Sequence, residues 1–116
     1  MRPHIRALDR AEAAGGRAID LEPLLGAWLN YDTNSAGPRR LWISRRSSRL
    51  VVSTPHLSDV DGAAFTAGVT ATRAVGFLAH ADGMLLAAYL NKRLLVVDTY
   101  TRGPVNTFRR DHFYPL

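Results

Sequence analysis

Asp98 has the strongest claim to chemistry in this chain. It stands in Leu94-Leu95-Val96-Val97-Asp98-Thr99-Tyr100-Thr101, a carboxylate embedded among branched apolar residues. Side chains alternate along an extended chain, so Leu94, Val96, Asp98 and Tyr100 share one face. A carboxyl group facing a low-dielectric interior resists ionisation unless a cation or hydrogen-bond donors compensate. So placed, Asp98 could act as a general acid or base, with Tyr100 or Tyr89 as a phenolic donor. An arginine partner would instead make it a structural ion pair, and the opposite strand phase would leave it in water. His112, within Arg109-Arg110-Asp111-His112-Phe113-Tyr114, is the other proton-transfer candidate. His56 and His80 stand apart from it. No His-x-His or His-Glu-x-x-His spacing occurs, so no metal and no cofactor is expected.

The candidate binding residues begin in Leu24-Leu25-Gly26-Ala27-Trp28-Leu29-Asn30-Tyr31-Asp32. Strand geometry puts Trp28, Asn30 and Asp32 on one face and Ala27, Leu29 and Tyr31 on the other. An aromatic, an amide and a carboxylate in one row suit the wall of a polar-bottomed pocket, or an ordinary surface row. Tyr89 and a last-strand arginine, Arg109, complete the candidate set.

These residues need a scaffold, and the rest of the chain describes one. At 116 residues the chain is expected to hold one domain with a single core. It has no cysteine, which excludes a disulfide framework, a thiolate metal site and a thiol nucleophile. The opening Met1-Arg2-Pro3-His4-Ile5-Arg6 lacks the apolar core of a secretory signal. No apolar run approaches the roughly 20 residues of a membrane-spanning helix. A cytoplasmic protein without a membrane partner is the expectation. Fifteen Lys plus Arg against ten Asp plus Glu give a net charge of +5. Arginine greatly outnumbers lysine, as in a GC-rich coding bias, so the charge says little about an anionic partner.

Residues 1–19 read as an N-terminal arm with a short helix ended by Gly15-Gly16. Asp20-Leu21-Glu22-Pro23-Leu24-Leu25 reads as a helical turn that Asp20 can cap. Strands and turns then alternate. Thr33 to Pro38 is a turn cluster, and Arg39 to Ser44 is a strand with Leu41 and Ile43 inside and Arg40 and Trp42 outside. Leu50 to Ser53 follows, then a weaker strand around Ala64 to Val69, where a helix or lid could stand instead. Ala74 to His80 and Met84 to Asn91 flank Asp82-Gly83, a strong hairpin signal because both residues accept positive φ. Met84 to Asn91 and Arg93 to Thr101 pair across Asn91-Lys92, and Val105 to about Tyr114 closes the series. About eight short strands at this spacing predict an all-β domain over 20–116, a compact antiparallel up-and-down barrel or a sandwich, with the barrel favoured. Closure would remove the edges that such apolar strands otherwise expose.

The helical turn leading into Gly26-Ala27-Trp28 resembles the start of the lipocalin-like (calycin) barrels, and with Asn30 the strand is also similar to that of the avidins. The first resemblance implies that Trp28 plugs one barrel end and that a late arginine, Arg109 or Arg110, packs over it. The second implies that Asn30 lines a ligand pocket. The chain carries neither the lipocalin disulfide nor the later tryptophans of an avidin pocket. Small barrels of this shape also include cyclases and isomerases of natural-product pathways, a resemblance of architecture alone.

The expected function is therefore the binding of a small hydrophobic organic molecule in the barrel, extended to isomerisation or cyclisation without a cofactor. Asp98, Tyr100 and His112 would carry catalysis, and Trp28, Asn30, Asp32, Tyr89 and Arg109 would hold the ligand. Two alternatives stand beside it. Arg39, Arg40, Trp42, Arg45, Arg46 and Arg49 could bind single-stranded nucleic acid by charge and stacking, the less favoured partner. Trp42 could instead anchor the interface of a non-catalytic interaction subunit, including a homodimer.

Overall fold

The computed structural model describes residues 20–67 and 74–116. The expected arm over 1–19 and the last part of the weak strand expected to reach Val69 lie outside these residues. Eight antiparallel strands run in sequence order: β1 (Gly26–Asn30), β2 (Arg40–Arg46), β3 (Arg49–Ser53), β4 (Val60–Ala67), β5 (Ala74–Ala81), β6 (Met84–Asn91), β7 (Leu94–Thr101) and β8 (Thr107–Pro115). Each pairs with the next, and β8 returns to β1, so the sheet closes as the expected up-and-down barrel.

Local chemistry sets the connections. Asp82 and Gly83 have φ of 45° and 74°, the two positive values that a tight hairpin of this hand requires, and Ala81 faces Met84 across them. Ser47 and Lys92 take positive φ in the other two-residue turns. The β6–β7 turn is Lys92-Arg93, one residue later than expected, because Asn91 pairs with Leu94. Gly26 enters β1 at φ 122°, a conformation that L side chains rarely adopt. A Cβ there would meet nothing within 4 Å, so backbone conformation rather than space calls for glycine.

A 3-10 turn, Glu22–Leu24, closes the end of the barrel where β1 begins. The cap position falls to Leu21, which has no side-chain acceptor, and not to Asp20 as expected; the Asp20 carboxylate instead accepts the Glu22 N–H at 3.1 Å from one residue earlier. Trp28 is 4% exposed, and its indole Nε1 donates to the Leu24 carbonyl oxygen at 2.9 Å. The aromatic plug and the turn are thus one unit, each satisfying the other's buried polar group.

Leu41, Ile43, Leu50, Val52, Phe77, Leu86, Leu95, Val97 and Phe113 point inward and pack with Trp28 and Leu24. Phe77, Ala88, Leu95 and Phe113 have no exposed surface at all. A void wide enough for water would leave such side chains some accessible area, so the side chains meet across this part of the lumen. No helix among the described residues is long and apolar enough to cross a membrane.

Candidate functional site

The strand registers assign every candidate residue to a face. Trp28 and Asn30 point inward on β1, opposite Pro115 and Phe113. Asp98, Tyr100 and Tyr89 lie on the outer surface, because Leu95 and Val97 take the inward positions of β7 and Ala88 that of β6. His112, opposite Val96, is also outside and exposed. Asp32 falls beyond β1 in an exposed turn, where its carboxylate accepts the Asn34 N–H at 2.9 Å. The candidates therefore do not converge on one pocket: Trp28, Asn30 and Arg109 belong to the interior and its mouth, and Asp98, Tyr100, Tyr89 and His112 to the outer surface.

Asp98 has the partner that would make it structural. It lies opposite Arg110, whose Nε and Nη2 donate to the two carboxylate oxygens at 2.6 and 2.9 Å. Asp98 is 8% exposed while the Arg110 side chain is half exposed. The carboxylate holds the Arg110 guanidinium above its already high ordinary pKa. Neither arginine expected over Trp28 is there. Arg110 serves Asp98 on the outer wall, and Arg109 points toward the other end of the barrel, opposite Thr99. The residues facing Trp28 at that end belong to the Phe-Tyr-Pro close of β8, with Pro115 in direct register.

Arg109 belongs instead to a cluster centred on Asp111, a buried carboxylate that the sequence reading passed over. Arg109 Nε donates to one Asp111 oxygen at 2.8 Å, and Ser35 Oγ donates to the other. Ser35 Oγ also accepts the Gly37 N–H at 2.9 Å. Asn30 Nδ2 donates to Pro38 O at 3.1 Å, and Asn30 Oδ1 accepts the Asp32 N–H at 3.0 Å. Asp111 and Asn30 thus fasten the 31–39 loop across the barrel mouth. The available clue was phase: Asp111 shares a strand face with Phe113, the most buried residue of β8.

The outer wall of β4–β8 holds the feature that alternation conceals. Three rows cross these strands. Ala63, Leu78, Ala87, Asp98 and Arg110 form the middle row. Phe65, Gly76, Tyr89, Val96 and His112 form one flank, and Asp61, His80, Leu85, Tyr100 and Phe108 the other. Leu78 and Tyr100 are 45% exposed and Phe108 is 54% exposed. Tyr100 and Phe108 meet at a tilt of 51° with centroids 5.1 Å apart, and the Arg110 guanidinium lies 5.7 Å from the Phe108 centroid. A shallow groove of about 390 Å³ runs between Asp61, Ala63, Leu78, His80 and Leu85. A second cleft of about 440 Å³, lined by His80, Met84, Leu85, Tyr100, Arg102 and Asn106 among others, adjoins it at the rim.

The β2–β3 side of the barrel is basic, and three of its arginines are engaged. Arg45 pairs with Glu22 at 3.3 Å, Arg46 with Asp59 at 2.8 Å and Arg49 with Asp61 at 2.7 Å. The Arg46 hydrogen bond, aided by Ser53, holds the Asp59 carboxyl below its ordinary pKa. Trp42 is outside and 39% exposed, as the phase of Leu41 and Ile43 requires. No group of three or more His, Asp and Glu placed to hold a metal occurs among the described residues.

No protein-family model matches the chain. No curated protein and no solved structure matches it either.

Proposed function

We propose that this barrel is a non-catalytic interaction subunit that docks another protein surface on the outer wall of β4–β8. One observation carries the reading: the wall presents three registered rows of largely apolar side chains, with charge confined to Asp61 at the β3 edge, the Asp98–Arg110 pair and the histidines. An antiparallel strand with one solvated face reads as alternating apolar and polar residues, as β2 does in Arg40-Leu41 and Ile43-Ser44, with Trp42 the exception between them. Met84-Leu85-Leu86-Ala87-Ala88-Tyr89-Leu90 of β6 is apolar in both phases, the composition of a strand covered on both sides. A contiguous exposed apolar patch on a folded domain marks an interaction surface. The catalytic reading lacks comparable support, since Asp98 already has both oxygens occupied by Arg110.

A photo-reactive phenylalanine analogue at Leu78, in cells that make the chain, tests this. Cross-linked adducts from position 78, identified by mass spectrometry and absent when the analogue replaces Ser44, are the expected result. No adduct, or equal adducts from both positions, overturns the reading.

A small hydrophobic molecule is the second reading, and the rim cleft is what favours it. Its volume falls within the roughly 300–1,000 Å³ typical of small-molecule sites, and Met84, Leu85 and Tyr100 give it an apolar floor. The ligand would then sit outside the barrel rather than in the lumen. Denaturing extraction of the purified protein should release that molecule. Tyr100→Ala should abolish its retention.

A further inference from the structure

Resting on the small-molecule reading of the rim cleft, we propose that the cleft binds a small organic acid. Its apolar body lies on Met84, Leu85 and Tyr100, and its carboxylate meets Arg102.

The strand registers build the cleft in steps toward the rim. His80, Leu85 and Tyr100 stand opposite one another on β5, β6 and β7. One residue nearer the rim, Met84 faces Thr101, and Thr101 faces Thr107. Beyond them the Arg102 N–H donates to the Gly83 carbonyl oxygen at 2.9 Å, which ties the end of β7 to the β5–β6 turn. Arg102 and Asn106 line the cleft there. Leu85, its chain neighbour Met84 and its cross-strand partner Tyr100 give one continuous apolar surface. Met84 and Leu85 are half-buried and Tyr100 exposes much of its ring, so a ligand body has apolar area left to cover. The rim beyond supplies side-chain donors. The cleft is thus amphipathic along its length.

Charge assigns the head group. Arg45, Arg46, Arg49, Arg109 and Arg110 each hold a carboxylate of this chain. Arg102 is exposed and makes no such pair among the described residues. No aspartate or glutamate lines the cleft, and His80, Asn106 and Thr107 are further hydrogen-bond donors. An amine placed here would face a cation with no anion to offset it. A neutral hydrocarbon reaching the rim would cover polar groups and return no hydrogen bond. A carboxylate accepts two parallel N–H bonds from a guanidinium, and its apolar body then falls toward Leu85 and Tyr100.

Titration of the purified full chain with naphthoate, followed by amide NMR shifts, tests the inference, with naphthylmethanol as the uncharged probe of the same ring. Naphthoate should move the Leu85, Arg102 and Asn106 amides. It should bind about three- to tenfold more tightly than the alcohol, the worth of a charge-assisted contact at an exposed site. Arg102→Gln should erase that preference and leave the affinity for the alcohol unchanged. Arg93→Gln, which removes the same charge from the β6–β7 turn at the opposite rim, should keep the preference. Tyr100→Ala should weaken both probes. Equal affinity for the two probes, or a preference that survives Arg102→Gln or is lost in Arg93→Gln, overturns the inference and leaves the small-molecule reading standing. Shifts centred on Arg45, Arg46 and Arg49 also overturn it. Binding of neither probe, or indifference of both to Tyr100→Ala, removes the small-molecule reading of this cleft as well.

Discussion

Asp98 and Arg110 face each other across β7 and β8 on the outside of the barrel, and their two hydrogen bonds leave them unequally placed. The carboxylate is almost covered, whereas half of the arginine side chain meets water. An ion pair with one exposed member contributes modestly to stability, but orphaning its covered member is costly. Arg110→Ala should therefore lower the urea midpoint more than Asp98→Ala does. Adding Asp98→Asn to Arg110→Ala should recover much of the loss, because the uncompensated charge is then gone. Equal effects of the two single changes would show that the covered carboxylate carries no such penalty.

Gly76 and Gly62 make a second, sharper contrast. A Cβ at Gly76 would run into the Ala88 carbonyl oxygen and lie 2.9 Å from both Tyr89 Cα and Phe65 Cζ. Backbone cannot give way as a side chain can, so Gly76→Ala must separate β5 from β6 locally and should cost about 2–4 kcal/mol. At Gly62 the nearest atom is Leu50 Cδ2 at 3.0 Å, the tip of a flexible side chain. Gly62→Ala should cost less than about 1 kcal/mol. Chemical denaturation of the two variants checks both values. Gly76 also explains Phe65, whose ring lies over the gap that the missing side chain leaves in the outer wall.

The barrel was legible in the sequence because its turns are written in residue types. Asp82-Gly83 and the Thr33–Pro38 cluster mark strand ends by chemistry that tolerates few alternatives. β4 was harder to place. Val60-Asp61-Gly62-Ala63-Ala64 is poor in branched and aromatic residues and reads as loop, yet six consecutive pairs, from Gly62 with Ala79 to Ala67 with Ala74, hold it as a strand. Tertiary pairing overrides local propensity there.

Which residues share a face was legible too, but which face lies inside was not. In β7 both phases of Leu94-Leu95-Val96-Val97 are apolar, so alternation alone leaves Asp98 free to point either way. The decision comes from elsewhere: β1 must bury Trp28, and the register then runs around the barrel to put Leu95 and Val97 inside. The same double apolarity in β5, β6 and β7 was a signal of the outer wall, and it is visible only once one face is known to be the core.

Asp111 turns the mouth of the barrel into something that can be opened on purpose. Its carboxylate is 5% exposed and receives Ser35 on one oxygen and Arg109 on the other, while Ser35 Oγ accepts the Gly37 amide. The site is tight: a Cβ at Gly37 would fall 2.5 Å from Asp111 Oδ2 and 2.7 Å from Arg109 Nε. Asn30 holds the loop independently through Pro38 and Asp32. Asp111→Ala removes two acceptors at once and leaves the Arg109 and Ser35 donors without that partner, at a cost of about 1–3 kcal/mol. The loss should be local. The Gly37 amide should exchange with solvent at least tenfold faster, while amides in the Leu95–Val97 core keep their protection. Ser35→Ala should reproduce the Gly37 effect with a smaller change in global stability. Uniform deprotection in Asp111→Ala would show instead that Asp111 supports the whole barrel and that the loop is not a separable lid.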